Sequence, residues 1–171
     1  MEIKYILTEE DYIQFNLFHI KNSKTAMTAL KFQRLLIPIL YIIVGFVLAK
    51  VSDGPLSLWL SIFLLLGIAW FFFYPKYFYR SVMRRVQKML KEGKNEGLLG
   101  EHCLVLSKEG IHDTTMSGET SAKWPSIQTF AEDEQNLYLY NTSLSAYIIP
   151  KREIQNLDEF HKYVNKLIAN A

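Results

Sequence analysis

Four histidines, one cysteine and one acidic tripeptide are the residues of this chain whose types could support chemistry. The histidines are His19, His102, His112 and His161, and the cysteine is Cys103. No His-Glu-x-x-His pattern and no Cys-x-x-Cys pair sets metal ligands at helical or turn spacing. His102 and His112 flank the turn Lys108-Glu109-Gly110, close to Glu101 and Asp113. A hairpin there would bring the two rings face to face, but scattered polar strand residues are the commoner meaning of such a pattern. Cys103 reads as an inward strand position, hence an inert buried thiol and not a nucleophile. Glu132-Asp133-Glu134 offers oxygen ligands, yet it reads as a solvated turn. Trp124, Tyr138, Tyr140 and Tyr147 lie at strand spacing and suit core or sheet-face packing, or, if a pair is exposed, a peptide. No Gly-x-Ser-x-Gly elbow, phosphate-cradling glycine loop or dinucleotide fingerprint is present. The residues therefore imply no catalytic, cofactor or metal site, and no enzyme.

The elements that would position these groups are unusually unlike one another. The chain has 171 residues, is 50% hydrophobic, and carries a formal charge of +2. Its mean hydropathy is +0.05. Those averages exclude a disordered chain. The lone cysteine excludes an internal disulfide framework. The distribution is the informative part. Residues 35–75 hold only Lys50 and Asp53. Residues 76–94 hold Lys76, Arg80, Arg84, Arg85, Lys88, Lys91 and Lys94 against Glu92, net +6. Residues 95–171 carry net −5.

The uncharged stretch contains two runs, about 30–50 and 55–75, separated by a polar turn with Gly54-Pro55. A bilayer core is crossed by about 20 mostly apolar residues. The expectation is a two-helix transmembrane hairpin over 29–75. Pro38 falls in the first turn of the first run, where a missing N–H costs least. Gly45 and Gly67 leave room for close helix contact, so self-association stays open. Lys and Arg crowd the outer ends of both runs while the connecting loop has Lys50 alone, which places both termini in the cytoplasm. Trp70 and Tyr74 mark the inner interface. Residues 76–94 read as a basic juxtamembrane helix, ended by Gly93, Gly97 and Gly100. The candidate membrane and lipid-contact residues are Arg34, Trp70, Tyr74, Lys76, Arg80, Arg84, Arg85 and Lys88. Their partners would be the lipid bilayer and its anionic head groups. No nucleic-acid module accompanies the basic stretch.

From 100 to 171 the pattern changes to six short strands and a closing helix with Leu157, Phe160, Tyr163, Val164, Leu167 and Ile168 on one stripe. Asn156 or Asp158 would cap it. At the other end, Glu2–Leu7 reads as a strand, and Thr8 with Asp11 forms a capping box for a helix from Glu9. Residues 1–28 are expected to join 100–171 in one cytoplasmic domain. The fold class is thus an α+β membrane protein, with the hairpin inserted into a small antiparallel, pleckstrin-homology-like (PH-like) β-barrel or sheet with a C-terminal helix.

Several stretches resemble the YcxB-like membrane proteins of Gram-positive bacteria. They are Thr8-Glu9-Glu10-Asp11-Tyr12, Phe15–Ser23, the two spans, Gly100-Glu101-His102, Glu109-Gly110-Ile111, Gly118-Glu119, Trp124, Leu137-Tyr138-Leu139-Tyr140 and Tyr147-Ile148-Ile149-Pro150-Lys151-Arg152. Ile154 departs from the aromatic residue expected after that last turn. The resemblance implies an architecture and a cell-membrane location, and no activity. The expected function is a non-enzymatic, membrane-anchored binding or regulatory module with an unidentified ligand or protein partner. The alternative is an accessory subunit of a larger transport or stress-response complex, engaged through the hairpin.

Overall fold

The structure is a computed structural model that describes residues 1–92 and 97–170. Gly93 and Lys94, part of the expected juxtamembrane segment, lie outside the described residues. The chain divides into two compact units, Ile20–Arg85 and the pair Met1–His19 with Val86–Ala171.

The Ile20–Arg85 unit is built on two long helices. Helix α1 (Glu9–Asn22) ends before Ser23, and Ser23 then caps α2 (Lys24–Val51) by accepting from the Ala26 N–H at 3.3 Å. Helix α3 runs from Leu56 to Glu92. Both α2 and α3 are long and apolar enough to cross a membrane, with mean hydropathy of 2.2 and 2.3 over their best windows. Only 11% and 6% of those windows is buried, so the apolar side chains are not a protein core. Because α2 starts at Lys24, Pro38 sits well inside it and not in its first turn. Its ring fills a specific place: a Cβ on Gly67 would meet the Pro38 Cβ at 3.3 Å. A Cβ on Gly45 would meet the Phe63 ring at 3.0 Å. The two glycines thus serve contact between α2 and α3 within one chain.

The other unit is α+β. Strands β1 (Glu2–Leu7), β2 (Gly100–Leu106), β3 (Ile111–Thr115) and β4 (Gly118–Ala122) form one antiparallel sheet in that order. Strands β5 (Thr129–Glu132), β6 (Asn136–Tyr140) and β7 (Ala146–Pro150) form a second antiparallel sheet. The two sheets remain distinct, and neither closes into a barrel. Helix α4 (Leu157–Ala169) is capped by Asn156, which accepts from the Glu159 N–H at 3.2 Å. Ile3, Tyr5 and Leu7 from β1 share one core with Leu104, Leu106, Leu139, Ile149, Phe160 and Val164. Strand β4 stops at Ala122, two residues short of Trp124. Pro125 instead starts a single 3-10 turn with Trp124, whose indole N–H donates to the Ser107 carbonyl at 2.8 Å.

Candidate functional site

Strand alternation decides which polar groups meet. On β2 the buried positions are His102, Leu104 and Leu106. On β3 they are Ile111 and Asp113. The antiparallel register sets Leu104 opposite Asp113 and His102 opposite Thr115, so His102 and Asp113 are diagonal neighbours on the inner face. The His102 Nδ1 lies 3.0 and 3.2 Å from the two Asp113 carboxylate oxygens. Tyr5 of β1 stacks flat on the imidazole, with ring centroids 5.1 Å apart and planes 6° apart. His102 is 8% exposed and Asp113 is 7% exposed.

These side chains line a cavity of about 350 Å³ together with Tyr12, Asn141 and Tyr147. Burial, with the Asp113 charge added, pushes the Tyr5 phenol well above its ordinary value. Burial also raises the Tyr147 phenol, against a lowering hydrogen bond with Thr120 and with Asp113 again raising it. Both phenols therefore stay protonated and neutral. Two polar atoms on the lining residues are buried without a hydrogen-bond partner, the Nε2 of His102 and the Oδ1 of Asn141.

The structure brings together His102 and Asp113 but not His102 and His112. His112 stands one strand position before Asp113, which turns it to the outer face, where it lies 3.3 Å from Glu119. Cys103 is likewise on the outer face of β2, contrary to the inward position expected. Two leucines outweigh a cysteine and a valine in setting which face is buried. Burial, and then the Glu2 carboxylate that its thiol meets at 3.6 Å, raise the Cys103 pKa, which disfavours the thiolate. His161 lies 3.3 Å from Glu132, and the His19 ring packs beside Phe15 and Tyr140. Asp133 accepts from the Gln135 and Asn136 N–H groups and from the Tyr138 hydroxyl, so its carboxylate organises the turn into β6. Among the described residues, no group of three or more His, Cys, Asp or Glu side chains is placed to hold a metal ion. Asn141 was not singled out in the sequence, and Tyr147 only as a core, sheet-face or peptide-contacting aromatic. Their meeting with β2 and β3 depends on how the two sheets pack, and no local pattern carries that.

The candidate lipid-contact residues divide into two sets. Lys76, Arg80, Arg84, Arg85 and Lys88 are exposed along α3, with Lys88 3.5 Å from Glu92 one turn on. Arg34, Trp70 and Tyr74 also make contacts within the helix pair. The Arg34 Nε donates to the Phe71 carbonyl at 2.9 Å, and its guanidinium carbon lies 3.8 Å from the centre of the Phe71 ring. Trp70 stacks on Tyr74 at 4.8 Å, and the Tyr74 hydroxyl donates to the Gln33 side-chain oxygen.

Comparison with known proteins finds one family. Residues 106–167 match the family described as YcxB-like protein. The YcxB-like match starts at the last residue of β2 and ends within α4, so it takes in β3 to β7. Asp113, Asn141 and Tyr147 fall inside it; Tyr5, His102 and both long helices fall outside it. No curated protein and no solved structure matches the chain.

Proposed function

We propose that the chain is a membrane-anchored, cytoplasmic binding module of PH-like type, non-enzymatic, in the cell membrane of a Gram-positive bacterium. The observation that carries this reading is the division of labour between the units. One presents two apolar helices with their apolar surfaces uncovered. The other has its own core and a polar-lined cavity. Pairing of β1 with β2 supports two crossings, because strands before and after the helices can share a sheet only after an even number of passages. The basic side chains along α3 outnumber those in the Lys50 loop, which favours cytoplasmic termini and attraction to anionic head groups. The Nε2 of His102 has no hydrogen-bond partner among the described residues, which leaves it free for a ligand and supports the binding reading.

A second reading is favoured by one feature of the helix pair. An all-apolar groove of about 280 Å³ lies between α2 and α3, with Pro38, Phe63 and Gly67 in its wall. In an accessory subunit it would seat a helix of a larger complex. Replacing both spans with unrelated apolar helices separates the two readings: the anchor keeps its function and the subunit loses it.

Topology is tested by cysteine labelling of intact cells with an impermeant maleimide, after Cys103→Ser. A cysteine at Asp53 should label from outside. A cysteine at the exposed Met116 should label only after permeabilisation. The reverse pattern would overturn the proposal.

A further inference from the structure

We propose that the cavity walled by β1, β2, β3 and β7 binds a small molecule carrying a primary ammonium group on an aromatic or apolar body. This rests on the reading of the α+β unit as a binding module and names its ligand class.

The chemistry of the wall selects the ligand. An ionised carboxylate only accepts hydrogen bonds, so beside Asp113 the proton of the imidazole sits on Nδ1. In the neutral ring the Nε2 of His102 is then a bare acceptor. The Oδ1 of Asn141 is a second acceptor without a donor. A buried acceptor left unpaired is costly. A primary ammonium has three N–H donors, enough in number for both. A quaternary ammonium has none.

The charge and surface of the cavity point the same way. Asp113 supplies a carboxylate, and no Lys or Arg lines the cavity among the described residues. Among the described residues an anion would find no counter-charge there. Tyr5, Tyr12, Phe15 and Tyr147 supply aromatic surface. Ring faces attract cations and accept an apolar body. The volume of about 350 Å³ suits a molecule of roughly ten heavy atoms, at the lower end of the usual ligand-pocket range of about 300–1,000 Å³.

The test is calorimetric titration of the full chain in detergent micelles, corrected against protein-free micelles. The probes are 2-phenylethylammonium, 2-phenylethanol, 3-phenylpropionate and phenethyltrimethylammonium. The ammonium should bind saturably, the alcohol at least ten-fold more weakly, and the carboxylate not at all. Asn141→Ala and Asp113→Asn should each weaken the ammonium at least ten-fold. Asn141 is only half-buried beside a loop, so that variant remains informative if Asp113→Asn fails to fold. No saturable binding of the ammonium overturns the proposal. So does equal binding of the carboxylate or of the trimethylated amine. Maleimide labelling of Asp53→Cys does not depend on the cavity. Correct labelling without amine binding overturns the ligand assignment alone, and amine binding with inverted labelling overturns the membrane topology alone.

Discussion

Asp11 does two jobs with one carboxylate. It closes the capping box of α1, accepting from the Thr8 N–H at 3.0 Å and from the Thr8 hydroxyl at 2.7 Å. It also takes both ends of the Arg152 guanidinium at 2.7 Å, while Arg152 donates a further bond to the Ile6 carbonyl at 3.0 Å. A local cap thereby becomes a tie between residues 141 positions apart. Burial works to raise the Asp11 pKa, but the hydrogen bonds from Arg152 and Thr8 and the Arg152 charge outweigh it and hold the carboxyl below its ordinary value. The sign follows from linkage: a group lowered in the folded state contributes stability above its unfolded value, about pH 4, and loses it as pH falls through the folded value. Asp11→Asn should therefore lower the urea midpoint at pH 7 and remove part of the acid sensitivity below pH 4. Arg152→Ala should cost about 2 kcal/mol, the scale of a charged hydrogen bond, since the guanidinium is half exposed and partly screened. Equal urea midpoints for wild type and Arg152→Ala at pH 7 would show that the tie contributes nothing. The cap itself was legible from Thr8-x-x-Asp11. The Arg152 half was visible only as part of a Pro-Lys-Arg turn, because a long-range partner leaves no local spacing.

Helix α3 keeps its course through Pro75, a residue that brings no N–H. In an unbroken helix the Phe71 carbonyl would accept from position 75. Arg34 supplies the missing donor from the facing helix, at 2.9 Å. In an apolar surrounding an unpaired carbonyl is costly, so Arg34, which reads as a lipid contact, also serves a backbone carbonyl of its own chain. A double-mutant cycle isolates this. Arg34→Gln should destabilise the helix pair in the Pro75 protein and cost about 1 kcal/mol less in a Pro75→Ala background, where the backbone donor returns. Unfolding in mixed detergent micelles reads the difference, and equal costs in both backgrounds would dismiss the exchange. At this scale the sequence was readable where signals are local. Helix existence, the apolar stripe of α4, the bounds of β1 and the Asn156 cap follow from period and capping residues. The facing of Cys103 was not, since both sides of β2 carry apolar side chains and the two leucines outweigh the cysteine and valine by a small margin. The roles of Pro38, Gly45 and Gly67 were not either, because they depend on the offset between two helices.

The whole molecule depends on a strand drawn from the far end of the chain. Pairing of β1 with β2 aligns Glu2 with Val105 and Leu7 with Gly100, closing a loop that contains both long helices. Long loops are closed at slowly rising entropic cost, so such an insertion is thermodynamically tolerable. The return is threefold. Ile3, Tyr5 and Leu7 enter the core, each apolar side chain worth about 1.5–3 kcal/mol when buried. The β2 edge, otherwise open to strand pairing, is covered. Tyr5 stacks on His102 and walls the cavity. Removing residues 2–7 should thus leave membrane partitioning intact, since neither long helix is touched. It should abolish the resistance of the α+β unit to limited trypsin digestion and, with it, binding of 2-phenylethylammonium. The replacement Tyr5→Phe is the control: it keeps the stacked ring, so protease resistance and binding should both survive. A truncated chain that stays protease-resistant would mean that residues 100–171 fold without β1, and the two-ended core would be wrong.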